Sequence, residues 1–268
     1  MLAFDHIGLV VADLERSAAI MERLGFTLTA RAAHRSEAAG TAVSEQRSVM
    51  LRRGYVELQT IADLNGGHVV APAARRFYGA HILAFDVADA TAEHARLKTG
   101  GIPLTEPMLW ARRMDEPDTN AEARFLFFVN RYDPAADEAV YCWVQHLTPE
   151  AIRTSRLLRH DNGAQGIRRV VIAAEDDGVA RGLRQKYALL CGPERDSGFD
   201  MSGVRLEIRT RAQLPAPIAQ AKWPAPAWIA AVEIDPAASL KARAETLGIS
   251  TSGGVLDLMT PLGIFILL

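Results

Sequence analysis

Hydrophobic and polar positions follow two periods along this chain, and the switch between them recurs. Residues 4–11 form an apolar, β-branched stretch read as a strand. It closes on Ala12-Asp13 and gives way to Leu14, Ala18, Met21 and Leu24, spaced as one face of a helix over 14–24. Asp13 stands where an N-cap belongs, and Gly25 supplies the stop. Strand patterns follow over 26–32, 42–51 and 55–61, with Arg53-Gly54 as the tight turn between the last two. The order is βαβββ.

The opening unit, Phe4-Asp-His-Ile-Gly-Leu-Val-Val-Ala-Asp13, is echoed by Ile82-Leu-Ala-Phe-Asp-Val-Ala-Asp89. A helix over 90–99 then stops at Gly100/Gly101, and the clearest later strands are 124–130 and 139–147. Polar residues among 109–123 read as an inserted loop of the kind that carries specificity. A third, shortened copy runs through strand 167–174, helix 176–189 and strand 203–210. A fourth runs through strand 228–234, helix 236–247 and strands 254–259 and 264–268. Segments 149–165 and 214–227 join them. Repetition on this scale means a fold assembled from copies of one small unit. The expected class is α+β: repeated βαβββ modules forming curved mixed sheets around a cavity, with helices on the outer face. Residues 1–150 are one module pair, and 166–268 a second pair with a structural or dimerising role.

Composition narrows the function classes. A chain that is 49% hydrophobic and 23% charged is globular. A net charge of −2 with scattered arginines leaves no nucleic-acid footprint. No apolar run approaches the roughly 18–20 residues that span a bilayer, so no membrane role is expected. The N-terminus enters a strand directly, without the marks of a signal peptide. Cys142 and Cys191 sit far apart in apolar surroundings and read as buried free thiols of a cytosolic protein. There is no Walker loop and no dinucleotide fingerprint.

The stretches FDHIGLVVADLERSAAIMERLGF, RRGYVELQTI and FDVADATAEHARLKTGGI, followed by VYCWVQHLTPE and RHDNGAQGI, resemble the glyoxalase-like branch of the vicinal oxygen chelate superfamily. The resemblance covers about the first 165 residues and is fainter beyond them. It implies paired modules around a metal or ligand site. It leaves the reaction open, because members include lyases, epimerases, dioxygenases and ligand-binding resistance proteins.

Alternation along the strands puts His6 on the face away from the helix, and Tyr55, Glu57 and Gln59 together on the same concave side. An imidazole and a carboxylate suit Zn, Fe, Mn or Ni. By resemblance, His6 and Glu57 are the family's first two metal positions. The second module departs from the pattern: Ile82 stands at the His6 position, with His81 one residue earlier on the helix side unless a bulge shifts it. Matching Val144 to Val56 puts Gln145 at the Glu57 position and turns His146 away. The expected metal set is therefore His6, Glu57 and Gln145. Tyr55, Gln59, Trp110, Arg113, Trp143 and His160 are substrate-binding candidates, and Arg112 shares the segment of Trp110 and Arg113. In the third module Arg168 and Glu207 fall opposite one another as an ion pair.

Three functions follow as expectations. The first is a metal-dependent enzyme of lyase or isomerase type, acting on a small substrate with neighbouring oxygens. A divalent cation stabilises its enediolate, and Glu57 serves as ligand or base. The second is a metal-free small-molecule binding or sequestration protein. The third is an Fe(II) ring-cleaving dioxygenase, disfavoured by the absence of ligands in the second pair. A homodimer is the expected assembly.

Overall fold

The computed structural model describes residues 2–35 and 42–268. The strands are β1 (Ala3–Val10), β2 (Ala32–Arg35), β3 (Ala42–Met50), β4 (Tyr55–Ile61), β5 (Gly79–Asp86), β6 (Met108–Arg113), β7 (Glu122–Val129) and β8 (Val140–His146), then β9 (Gly166–Ala174), β10 (Phe199–Asp200), β11 (Arg205–Thr210), β12 (Ala227–Asp235), β13 (Thr251–Ser252), β14 (Val255–Leu258) and β15 (Ile264–Leu267). Helices are α1 (Leu14–Arg23), α2 (Ala71–Ala74), α3 (Ala90–Thr99), α4 (Asp177–Cys191), α5 (Ala216–Gln220), α6 (Ala238–Thr246) and α7 (Met259–Leu262). The first eight strands form one sheet in the order β2-β3-β4-β1-β5-β8-β7-β6. The rest form a second in the order β10-β11-β9-β12-β15-β14-β13.

Module starts are set locally. Asp13 and Asp89 each accept a backbone N–H of the first turn, from Arg16 and Ala92. Asp176 does the same for Val179 at the head of α4. Leu14, Ala18 and Met21 of α1 are buried, as their spacing predicts. Gly25 adopts φ +88, a left-handed conformation in which a side chain is strained.

Ladder registers show the repeat as an approximate two-fold. On the antiparallel β1–β5 ladder His6 pairs with Ala84 and Gly8 with Ile82. Since Asp13 and Asp89 cap equivalent helices, His6 corresponds to Ile82 and Gly8 to Ala84, so the two pairs exchange under one rotation. The β1–β5 ladder and its counterpart β9–β12 each carry two bulges, one on each strand. Asp5 is the extra residue of β1 and His81 that of β5. On β9 and β12 the extra residues are Arg168 and Ala230.

Two expected elements differ. Residues 26–31 make no strand; Phe26 and Leu28 are buried, and the ladder begins only at Ala32. The supposed loop 109–123 contains β6, the edge strand of the first sheet, paired with β7. Its apolar run 108–111 leads straight into Arg112, Arg113 and the polar residues beyond, which mask it, and its edge position leaves most of it exposed.

The helix-side faces of both sheets share one apolar core, from Ile7, Leu9 and Trp143 through Met21 and Tyr187 to Ile172 and Ile229. One polar clamp crosses it. The buried Glu138 carboxylate accepts the hydroxyls of Tyr141 (2.6 Å) and Tyr187 (2.5 Å) and lies 3.2 Å from Lys186 Nζ. Removing an acceptor of this kind strands its buried donors. Glu138→Ala should therefore cost about 3 kcal/mol of stability, read from urea unfolding followed by circular dichroism. A loss no larger than that of an exposed Glu→Ala change would show the clamp to be incidental.

Candidate functional site

The bulge in β1 creates the site. It leaves Phe4, Ile7 and Leu9 in the helix-side core. It also lets two successive residues, Asp5 and His6, turn to the concave face, which simple alternation forbids. His6 Nδ1 donates to Asp5 Oδ2 at 2.7 Å, and His146 Nε2 donates to Asp5 Oδ1 at 2.8 Å. Asp5 is 1% exposed. Burial alone would raise its pKa, but the two imidazoles win and hold it far below the usual carboxylate range. Asp5 therefore stabilises the fold at neutral pH, and that contribution fades as the solution is acidified through and below the ordinary carboxylate range.

With Nδ1 committed to Asp5, His6 Nε2 faces Glu57 Oε2 at 3.6 Å. The Tyr55 ring stacks on His6 at 4.3 Å. Burial pushes the Glu57 carboxyl above its ordinary range, against the pull of His6 and Arg112. Burial likewise lowers the Arg112 guanidinium, opposed by Glu57, Tyr55 and Glu116. Gln59 shares the strand face and is 4% exposed. Among the described residues its Nε2, together with Gln46 Oε1 and Ser48 Oγ on neighbouring β3, is buried without a hydrogen-bond partner. Ladder register sets Gln46 beside Gln59 and Ser48 beside Glu57.

One end of the concave face is covered by Val70, Ala73 and Ala74, packed on Val10, Ile82, Cys142 and Val144. Phe125 and Phe127 border the same cluster, whereas Phe128 lies in the helix-side core. At the other end Ile152 and Leu157 of the connector cluster with Met50 and Tyr55.

The structure thus brings His6, Glu57, Tyr55 and Gln59 together and separates the remaining candidates. Gln145 faces the helix: its Oε1 accepts the Ala90 N–H at the start of α3. Trp143 is fully buried in the core, stacked on Phe128. The sequence match failed by parity. Ladder pairs Gly8–Glu57 and Ala84–Cys142 make Cys142 the counterpart of Glu57, one face over from Gln145. His146, expected to turn away, is on the concave face. His160 is buried beside Phe26 with both ring nitrogens used, by Thr27 N–H and Met50 O. Trp110 sits at 39% exposure on edge strand β6, edge-on to Phe127. Arg113 is exposed, and Arg112 is the arginine of this segment within electrostatic reach of Glu57. In the second sheet Glu207 pairs with Arg169 (3.3 Å), the counterpart of His6, and with Arg209 (3.0 Å) and Arg205 (3.5 Å); Arg168, the bulge residue, contacts Glu233.

Whether a divalent cation fits is decided by donor chemistry. His6 Nε2 and Glu57 are two suitable donors. Their counterparts in module two are Ile82, which has no donor atom, and Cys142, a single thiol packed among Val140, Val144 and Ala84. Asp5 is taken up by two imidazoles. Among the described residues no group of three or more His, Cys, Asp or Glu side chains gathers to hold an ion. The expected set of His6, Glu57 and Gln145 is not assembled, and the side chains present do not fit a resident metal.

A family model for the glyoxalase-like domain matches residues 4–188. The chain belongs to the glyoxalase-like family. No curated protein matches it. Among solved structures, a hypothetical protein from Staphylococcus aureus is 12% identical, with 99% of each chain covered and a TM-score of 0.65. A mutant 4-hydroxymandelate synthase from Streptomyces coelicolor is 15% identical, covering 94% of this chain and 78% of the other, at a TM-score of 0.55. At these identities the likeness is one of fold alone. The family supports the repeated modules and leaves the reaction to the site.

Two stability measurements probe the site's electrostatics. Glu57→Gln should raise Tm by about 2–4 °C, because it removes a charge that burial disfavours; an unchanged or lower Tm counts against the desolvation argument. His81 is 1% exposed, its Nε2 donates to Phe77 O, and burial pulls its pKa down to about 4. The unfolded imidazole binds a proton near pH 6.5 and the native one only near 4. Stability should therefore be full above about pH 6.5 and fall between there and about 4, by about 3 kcal/mol at 1.36 kcal/mol per pH unit. Urea unfolding across that range should show the slope in the wild type and a flatter one in His81→Gln.

Proposed function

We propose that the N-terminal module pair is a proton-transfer site for a small substrate with neighbouring oxygens, of lyase or isomerase type, in which Glu57 is the acid–base group. The observation that carries this reading is the Glu57–His6–Asp5–His146 chain. A buried carboxyl whose pKa burial raises is the kind of group that general acid–base catalysis uses. His6, held through its Nδ1 by Asp5, presents Nε2 to the Glu57 carboxyl. As a carboxylate, Glu57 takes a proton from a carbon next to a carbonyl and passes it to His6 Nε2, with Asp5 steadying the imidazolium so formed. Arg112 supplies the positive charge for an oxyanion that develops beside Glu57. The unpartnered Gln46, Ser48 and Gln59 atoms suit the polar groups of a ligand, since buried polar atoms need partners.

Deuterium exchange tests this reading. A panel of 2-oxo acids, 2-hydroxy acids and acyl thioesters is incubated with the protein in D2O and followed by proton NMR. At least one class should exchange its α-hydrogen. Glu57→Gln should lower that rate by about 10²–10⁴-fold, and Arg112→Ala should lower it chiefly through kcat. Binding of panel members without exchange would move the assignment to the second reading, a metal-free binding protein. Ile82, which lies against Gly8 and lacks any reactive group, favours that alternative. Elemental analysis is the companion measurement. The donor set predicts less than about 0.1 equivalent of Zn, Fe, Mn or Ni per chain. Stoichiometric uptake abolished by His6→Ala would restore the metal-dependent reading.

A further inference from the structure

We infer that a second site, separate from the Glu57 cleft, binds a compact phosphorylated or otherwise polyanionic molecule between the β3–β4 turn and the connector. A cavity of about 270 Å3 is lined there by Arg52, Arg153, Arg159, Ser155 and Gln165, with His160 and Leu158 at its base.

Charge accounting makes this cavity unusual. The chain as a whole carries a net charge of −2, yet three guanidinium groups converge here and no carboxylate lines the wall. Their bonds go to neutral acceptors. Arg52 Nε donates to Gln165 Oε1 at 2.9 Å, and Arg153 Nη1 donates to the Leu51 carbonyl at 3.0 Å. Among the described residues none of the three lies within ion-pair distance of a carboxylate, whereas Arg156 of the same connector is paired with Glu116. The acids in the neighbourhood act from outside. Asp161 bears on His160, and Arg153 is felt by Asp86 without forming a pair. Like charges held together without counter-charges repel one another, and an anion relieves that cost.

The geometry selects the ligand class. Guanidinium groups bind phosphate oxygens through paired N–H donors, and the Ser155 hydroxyl and Gln165 amide add neutral hydrogen bonds. The volume lies just below the roughly 300 Å3 at which small-molecule clefts begin. This suits pyrophosphate or a short phosphorylated compound. His160 is not a recognition group, because both its nitrogens are spent on the backbone. Its part is to hold the connector in register with β3, so that Arg153 and Arg159 face Arg52.

Isothermal titration with pyrophosphate, at low and at moderate salt, tests the site. Saturable binding near one equivalent is expected, weakening as salt rises. The Arg153→Ala/Arg159→Ala pair should lower the affinity at least about tenfold, with Tm and circular dichroism unchanged because both side chains reach solvent. Arg112→Ala and Glu57→Gln should leave pyrophosphate affinity as it is, which separates this site from the cleft. No binding up to about 10 mM pyrophosphate overturns the inference. So does binding insensitive to the double variant, or binding lost with Arg112→Ala instead.

Discussion

A buried carboxylate held between two imidazoles organises the first half of this protein. Asp5 could not sit beneath the concave face without partners, since an isolated ion there would be neutralised or expelled. His6 and His146 supply them from β1 and β8, strands at opposite sides of β5. The arrangement fixes the His6 ring, and with it which nitrogen looks at Glu57. It exists only because β1 carries one extra residue. Without the bulge Asp5 would point into Leu and Ile side chains, and the proton chain would be missing its middle.

The second half carries the same backbone device with different chemistry. The β9 bulge places Arg168 and Arg169 where β1 has Asp5 and His6, and Glu207 stands at the Glu57 position. Arg169 is shared between Glu207 and Glu233, the latter at 2.5 Å. The carboxylates are answered by guanidinium groups, which do not exchange protons near neutral pH. Beside them the face is filled by Trp228, Phe265 and the segment that includes Leu214 and Ile218. The repeat thus supplies two concave faces. One keeps buried titratable groups in a proton chain, and the other converts the matching positions into an ion-pair network closed by aromatic packing. A ring-cleaving iron site in this second pair is not supported by those residues, which offer no imidazole.

Module two departs from module one in the side chains at its matching positions. Two-fold symmetry at the level of strands does not extend to donors: His6 has Ile82 for a partner position, and Glu57 has Cys142. What replaces a symmetric ligand set is asymmetric recruitment, with His146 entering from the end of β8 and Arg112 from the edge strand. Both lie outside the positions that a module-on-module alignment compares.

Much of this was legible in the residues. Helical spacing, Asp caps and glycine stops gave the modules and their order. Strand alternation within β4 put Tyr55, Glu57 and Gln59 on one face, because β4 is regular over that stretch. The sequence alone also held the His6–Glu57 pairing. Only tertiary structure decided the rest. Bulges at Asp5 and His81 break the two-residue period, and nothing local marks where an extra residue is absorbed. The face of β8 depends on its register against β5, a long-range pairing set by core packing of Tyr141 and Trp143, so Gln145 and His146 exchanged roles. Arg112 rather than Arg113 reaches Glu57 because β6 pairs with β7, and the apolar start of β6 is masked by the polar residues that follow it. Periodicity reports faces within an element; which faces meet is fixed by the packing of elements far apart in the chain.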